Sequence, residues 1–272
     1  MNCCCGSHVQ VKKTIVETID SIGSKSKCFQ CFISGSTNYT LRYIPADDAM
    51  KAGEILDKRK ITMYTHSPYV INLAREGDES IVNRSKACLQ NMVDALYKIN
   101  PSRTGTVVHI GAKGTIENVC KELNDLDLKV PVLMENCAET SKLGRTLNEL
   151  RKIIEGTDSQ KVGICVDTCH AHCGNLCDLS DPSQTEKFFE DLSFMANRKL
   201  IFHVNDSLTN YGSRLDRHAP VGYGTIWNLN RQDSLANLER FYELIKMEGS
   251  DVIFETPNEF SSKYEQDLFL SV

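Results

Sequence analysis

Short apolar runs recur along this chain, each stopping at a polar residue and each followed by a longer stretch with helical spacing. The clearest is Val162-Gly163-Ile164-Cys165-Val166-Asp167. Val162, Ile164 and Val166 suit a strand covered on both faces, and Asp167 stands where the run stops. Comparable runs are Cys3–Val9, Cys28–Ser34, Ile61–Thr65, Thr106–Val108, Val130–Met134, Lys199–Phe202 and Val252–Phe254. Between them the spacing predicts helices over Lys12–Ser21, from Pro45 towards Lys60, and over Glu79–Ile99, Thr115–Leu126, Thr146–Glu155, Pro182 to Asn197 and Ser234–Met247. In the longest, Val82, Leu89, Met92, Val93 and Leu96 fall on one face. Asp181-Pro182 reads as an N-cap followed by proline at the first helical position. The segment from Asn205 to Arg231 has neither period and predicts a long loop.

Strict alternation of strand and helix implies parallel strands, and eight such units in 272 residues imply an α/β fold of the closed (β/α)8 TIM-barrel type, one domain over residues 1–272. Such a barrel gathers its functional residues at the C-terminal ends of the strands. His66, His109, Glu135, Asp167, His203 and Glu255 end six consecutive strands. Each replaces an apolar residue with a group that is costly to bury unless it is paired or coordinated. His170, Asp216 and His218 add three more metal-ligand types from loops. Asp216 and His218 are two apart, so in an extended segment they point the same way. Five of the seven histidines fall in this set. Nine ligand groups exceed the three or four that one Zn²⁺ takes, and with one bridging carboxylate they suit three ions.

Composition adds limits. At 41% hydrophobic and 25% charged the chain reads as an ordinary globular protein. No apolar run is long enough to span a bilayer and no signal peptide is visible, so a membrane role is not expected. Twelve cysteines without such a signal predict free thiols in a reducing intracellular compartment, cytoplasm or nucleus. Met1-Asn2 leads into the cluster Cys3-Cys4-Cys5. Cys28-Phe29-Gln30-Cys31 is a CxxC, and a zinc knot at Cys173 and Cys177 lacks a second pair. The formal charge of −5 argues at first against a polyanionic partner. Three divalent ions would bring it to about +1, so nucleic acid is not excluded.

Several motifs carry a resemblance across nearly the whole chain. Gly6-Ser7-His8-Val9, His66-Ser67-Pro68-Tyr69-Val70-Ile71-Asn72-Leu73, Met134-Glu135-Asn136, Val166-Asp167-Thr168-Cys169-His170-Ala171, His203-Val204-Asn205-Asp206-Ser207, Asp216-Arg217-His218 and Glu255-Thr256 together resemble the endonuclease IV family of apurinic/apyrimidinic (AP) endonucleases. The resemblance implies a TIM barrel with three zinc ions, Mn²⁺ being admissible at one site. His66, His109 and Glu135 would hold the first ion. Glu135 would bridge to a second held by Asp167, His203 and Glu255, and His170, Asp216 and His218 would hold the third. It further implies a monomeric DNA-repair enzyme acting on duplex DNA at an abasic site, with Glu135 also the catalytic group. Tyr69 and Val70 match the loop that in the family enters the duplex at the lesion; apart from the resemblance, Lys113, Arg214, Arg217 and Arg231 fall in loops on the same face, where phosphate contacts are expected. Thr37 stands where the family can carry an inserting arginine, and Leu208 where many relatives have lysine. His8 ends the first strand, placed to support ligands or touch substrate. His172 reads as a loop residue, and no cysteine is given a catalytic role.

Two rival readings share these residues. A sugar isomerase or epimerase would use only Glu135, Asp167, His203 and Glu255, around one ion. A module that binds damaged DNA without cutting it would not need all nine groups.

Overall fold

The computed structural model describes residues 3–256 and 259–272. Met1 and Asn2, read above as leading into the first strand, lie outside them. Eight parallel strands form the barrel wall: β1 (Cys5–Ser7), β2 (Cys28–Cys31), β3 (Thr62–His66), β4 (Thr104–His109), β5 (Val132–Glu135), β6 (Val162–Asp167), β7 (Leu200–Val204) and, after a two-residue hairpin of β8 (Asp206–Ser207) with β9 (His218–Ala219), β10 (Asp251–Phe254). Neighbours pair in the order β1-β10-β7-β6-β5-β4-β3-β2. Lys27 N donates to Cys5 O (3.0 Å) and Val9 N to Gln30 O (2.7 Å), so β1 meets β2 and the sheet closes. Gly6 sits on that seam: a Cβ there would lie 1.7 Å from Cys28 O, so only glycine lets the two strands approach.

The helices are α1 (Ile15–Ser21), α2 (Ala46–Arg59), α3 (Glu79–Ile99), α4 (Ile116–Asn124), α5 (Leu147–Gly156), α6 (Thr168–Cys173), α7 (Pro182–Asp191), α8 (Gln232–Glu248) and α9 (Glu259–Ser271). Their starts follow local chemistry. Thr14, Asp78, Thr115, Thr146 and Asp181 each accept a hydrogen bond from a first-turn N–H. The helix expected to run to Asn197 ends at Asp191 and passes into a 3₁₀ turn, Leu192–Met195. Among the described helices, α6 is absent from the sequence reading, and α9 is implied there only by the count of eight strand–helix units.

Strand residues alternate between two environments. Val162, Ile164 and Val166 of β6 face the helices in the large outer core. Cys28, Tyr64, Val107, Leu133, Cys165, Ile201 and Ile253, one from each of seven strands, fill the barrel interior. Successive side chains on a strand point to opposite faces. The inward residue two positions on is therefore Gln30, His66, His109, Glu135, Asp167, His203 or Glu255. Register strengthens the alignment, because His109 pairs with Glu135 and Asp167 with His203. A period of two thus stacks a layer of ionisable and amide groups on a layer of apolar ones, at the C-terminal mouth.

Candidate functional site

Glu135 is the hub of that layer and is almost fully buried. Its Oε2 lies 3.2 Å from His66 Nε2 and 3.3 Å from His109 Nε2. Its Oε1 lies 3.0 Å from His203 Nδ1, which is also 3.4 Å from Glu255 Oε2. On the other side, His170 Nε2 is 3.1 Å from Asp216 Oδ2, and His218 Nε2 is 3.2 Å from Asp216 Oδ1 and 3.7 Å from Asp167 Oδ2. Seven of the nine expected groups, His66, His109, Glu135, His170, Asp216, His218 and Glu255, line one cleft of about 280 Å³, and the fully buried Asp167 and His203 touch them from behind its wall.

The chain supports these side chains from behind. Asp167 caps α6 by accepting from His170 N (2.7 Å), which ties two of the groups together. Asn136 Oδ1 accepts from Asp167 N (2.6 Å), and Asn205 Nδ2 donates to Asp167 Oδ2 (2.8 Å). The ring nitrogens are assigned by what faces them. A carbonyl oxygen only accepts, so the nitrogen against it carries the proton. His66 Nδ1 faces Ser67 O (2.7 Å), His170 Nδ1 faces Asn136 O (3.0 Å) and His218 Nδ1 faces Glu255 O (3.2 Å). Each of these three rings is left with Nε2 aimed at a carboxylate.

Asp216 and His218 arrive on the long segment after β7. Asp206, fully buried, gives that segment its shape by accepting from the N–H groups of Ser207 (2.8 Å), Gly222 (3.0 Å), Ile226 (2.9 Å) and Trp227 (3.2 Å). The β8–β9 hairpin within it holds His218 beside Ser207.

Electrostatics follow from crowding acids and imidazoles in one buried place. Burial works against a charged His66, His170, His203 or His218, but the neighbouring carboxylates outweigh it and their pKa values rise, that of His218 to about 10. His109 is the exception: burial dominates and depresses it to about 3. Burial opposes ionisation of Glu135, Glu255 and Asp216 too, yet the histidines hold all three below the usual carboxylate range. Without cations, the acids draw protons onto four rings.

These residues fit metal ions. Donor atoms lie within 4.8 Å of one another in the sets His66/His109/Glu135, Glu135/Asp167/His203/Glu255 and Asp167/His170/His218. Among the described residues, His109 Nδ1 and His218 Nε2 are buried without a hydrogen-bond partner, and His218 Nε2 is the nitrogen aimed at two carboxylates. Asp216 and His218 also gather with Cys169, whose Sγ is 3.7 Å from Asp216 Oδ1.

Residues 25–268 match the family described as xylose isomerase-like TIM barrel. The chain belongs to that family. A protein named probable endonuclease 4, from Methanosphaera stadtmanae, is 27% identical over 281 aligned residues, covering 97% of this chain and 96% of its own. The crystal structure of endonuclease IV from Thermus thermophilus superposes with a TM-score of 0.79 at 22% identity over 98% of both chains. A D-tagatose 3-epimerase-like protein superposes at 0.69 with 17% identity, over 98% and 97%. The resemblance to endonuclease IV read from the motifs is borne out.

The polar mouth rests on a closed apolar interior. His170, expected in a loop, lies on α6, as does His172. His172 is buried, with Nδ1 3.4 Å from Asp178 Oδ1 and its ring against Tyr211. Tyr69 stands at the rim, 57% exposed, its ring 5.3 Å from that of His66 and 5.5 Å from that of His109. Val70 O accepts from Tyr39 Oη (2.9 Å), which pins the loop tip. Lys113 is exposed with a left-handed backbone (φ 60°), and exposed Arg217 donates to Asp216 O (2.7 Å). Exposed Arg231 pairs with Asp233 (2.7 Å). Among the described residues no cysteine is disulfide-bonded. Among the described residues no helix is long and apolar enough to cross a membrane. The sequence reading gives no role to Gln30, Asn136, Asn205 or Asp206, although the last three lie within the endonuclease IV-like motifs. The period of two that placed His66 and His109 also places Gln30, two residues beyond inward-facing Cys28.

Proposed function

We propose that this chain is a zinc-dependent AP endonuclease of base excision repair. It cuts duplex DNA on the 5′ side of an abasic site, leaving a 3′-hydroxyl and a 5′-deoxyribose phosphate. One observation carries the reading: the quartet Glu135, Asp167, His203 and Glu255, enough for a one-metal isomerase, is flanked by His66 and His109 on one side and by His170, Asp216 and His218 on the other. Those five groups are superfluous around a single ion.

His66, His109 and Glu135 would hold one zinc ion, Glu135 with Asp167, His203 and Glu255 a second, and His170, Asp216 and His218 a third. When bound, the ions supply Lewis-acid polarisation of the phosphodiester and acidify water enough for hydrolysis near neutral pH. Glu135 fixes the spacing of two ligand sets, because its two oxygens face different histidines. Asn205 Nδ2 donates to the Asp167 carboxylate and fixes its rotamer, while Asn136 pins the Asp167 backbone, so this group is set before substrate arrives. Tyr69, with Val70 behind it, would occupy the gap left by the missing base, and Lys113 and Arg217 would meet phosphates.

The test is incision of a duplex carrying one abasic-site analogue, with bound metal assayed on the same protein. Cleavage 5′ to the lesion, lost on chelation, with about three ions per chain, is the expected result. No cleavage and about one ion per chain would overturn it in favour of a sugar epimerase. Lesion binding without cleavage in the fully loaded protein would overturn it in favour of a damage-binding module.

A further inference from the structure

Three of the site histidines have their outer nitrogen fixed by a backbone carbonyl, and His203 does not. Its Nε2 faces the side-chain oxygen of Gln30 at 3.0 Å. Gln30 lies on β2, across the mouth, and is fully buried. Its Nε2 is 2.5 Å from Glu255 Oε1 and 3.1 Å from His8 Nδ1, and His8 Nδ1 is itself 3.1 Å from Glu255 Oε1. One amide therefore joins His203 to Glu255.

The orientation of this amide follows from chemistry. A carboxylate can only accept, so the group facing Glu255 must be the NH₂ of Gln30. The Gln30 oxygen must then face His203, and His203 Nε2 must carry a proton to meet it. That leaves Nδ1 as the inward nitrogen, 3.0 Å from Glu135 Oε1 and 3.4 Å from Glu255 Oε2. We infer that Gln30 is a positioning residue that makes His203 bind metal through Nδ1, opposite to the Nε2 presented by His66, His170 and His218. Partners of this kind fix ring orientation and raise the basicity of a ligand. By tying β2 to β7 and β10, the same amide also fixes the angle between His203 and Glu255. The inference rests on the reading of this mouth as a metal centre.

The experiment uses the full chain loaded with Zn²⁺ and labelled with ¹⁵N-histidine. Long-range ¹H–¹⁵N correlation reads which His203 nitrogen carries the proton. Graded competition with a chelator, followed by elemental analysis, reads how tightly each ion is held. The expected wild-type spectrum has the proton on Nε2 and metal on Nδ1. Gln30→Leu should release one ion about 10- to 100-fold more readily and leave the others unchanged. Gln30→Glu should weaken the same ion, because it sets a second carboxylate against Glu255. A proton on Nδ1 in the wild type overturns the inference, as does a folded Gln30→Leu protein holding every ion like the wild type. If Gln30→Leu does not fold, the wild-type spectrum alone decides. A wild-type chain that takes up no zinc would overturn the metal reading itself, before any variant is compared.

Discussion

Tyr69 is the residue at the mouth whose exposure asks for a reason. More than half its surface is open, although it packs edge-on against Phe32 and tilts over His66 and His109. Its backbone N–H donates to Ser36 O (2.8 Å), so the ring is held outward by the loop behind it. A rigid aromatic beside a cleft can replace stacking lost where a base is missing. Tyr69→Ala should therefore weaken binding to a duplex with an abasic analogue by about 1–3 kcal/mol, leaving binding to undamaged duplex unchanged. Fluorescence anisotropy on the two duplexes measures this, and equal losses on both would remove Tyr69 from lesion recognition. At this scale the ionisable groups that end the strands were legible because a charge at the end of an apolar strand stands out. Gln30, Asn136 and Asn205 were not, since an amide carries no charge to mark it and its role depends on what lies across the barrel.

The elements differ in how far the chain announces them. Strands and long helices were legible from period, and α3 came out with the expected ends, Glu79 and Ile99. Helix α6 has six residues and begins directly after Asp167, too short for a helical period to register beside the strand. The segment between β7 and α8 has no period at all, because a single carboxylate, Asp206, orders it. That segment is also held from α9: Glu265 accepts from Val221 N (2.8 Å) and from Thr256 Oγ1 (3.0 Å). Burial, with Asp206 nearby, raises Glu265 from 4.5 to about 7. A raised acid holds its proton more tightly in the folded state than in the unfolded chain. Its stabilisation is therefore complete below pH 4.5 and lost as pH climbs to about 7. Glu265→Gln keeps the acceptor without the charge. The metal-free variant should gain at most about 3 kcal/mol over wild type near neutral pH, and nothing in acid. Urea unfolding at both pH values measures it, and a difference independent of pH would contradict the assignment.

For the whole molecule, the candidate metal centre and the fold are one problem. The barrel closes around a layer in which Glu135, Asp167 and Glu255 gather, with Asp216 beside it against His170 and His218, and the chain as a whole already carries −5. In the metal-free protein the raised histidines supply the compensating positive charge. On the proposed reading zinc would have to displace those protons, so loading should release protons into a weakly buffered solution, and affinity should rise with pH. Each ion present at a thousand times its Kd adds about 4 kcal/mol to stability. Chelation should therefore lower the urea midpoint, and by more at about pH 8 than at about pH 6, because protons compete less at the higher pH. The opposed trend in Glu265 is common to the loaded and stripped forms and cancels from their difference. A gap between the two forms that did not change with pH would mean that the imidazoles are not exchanging protons for metal. In that case the raised histidines would be acting as permanent ion-pair partners of Glu135 and Asp216, and the cleft would have no need of cations.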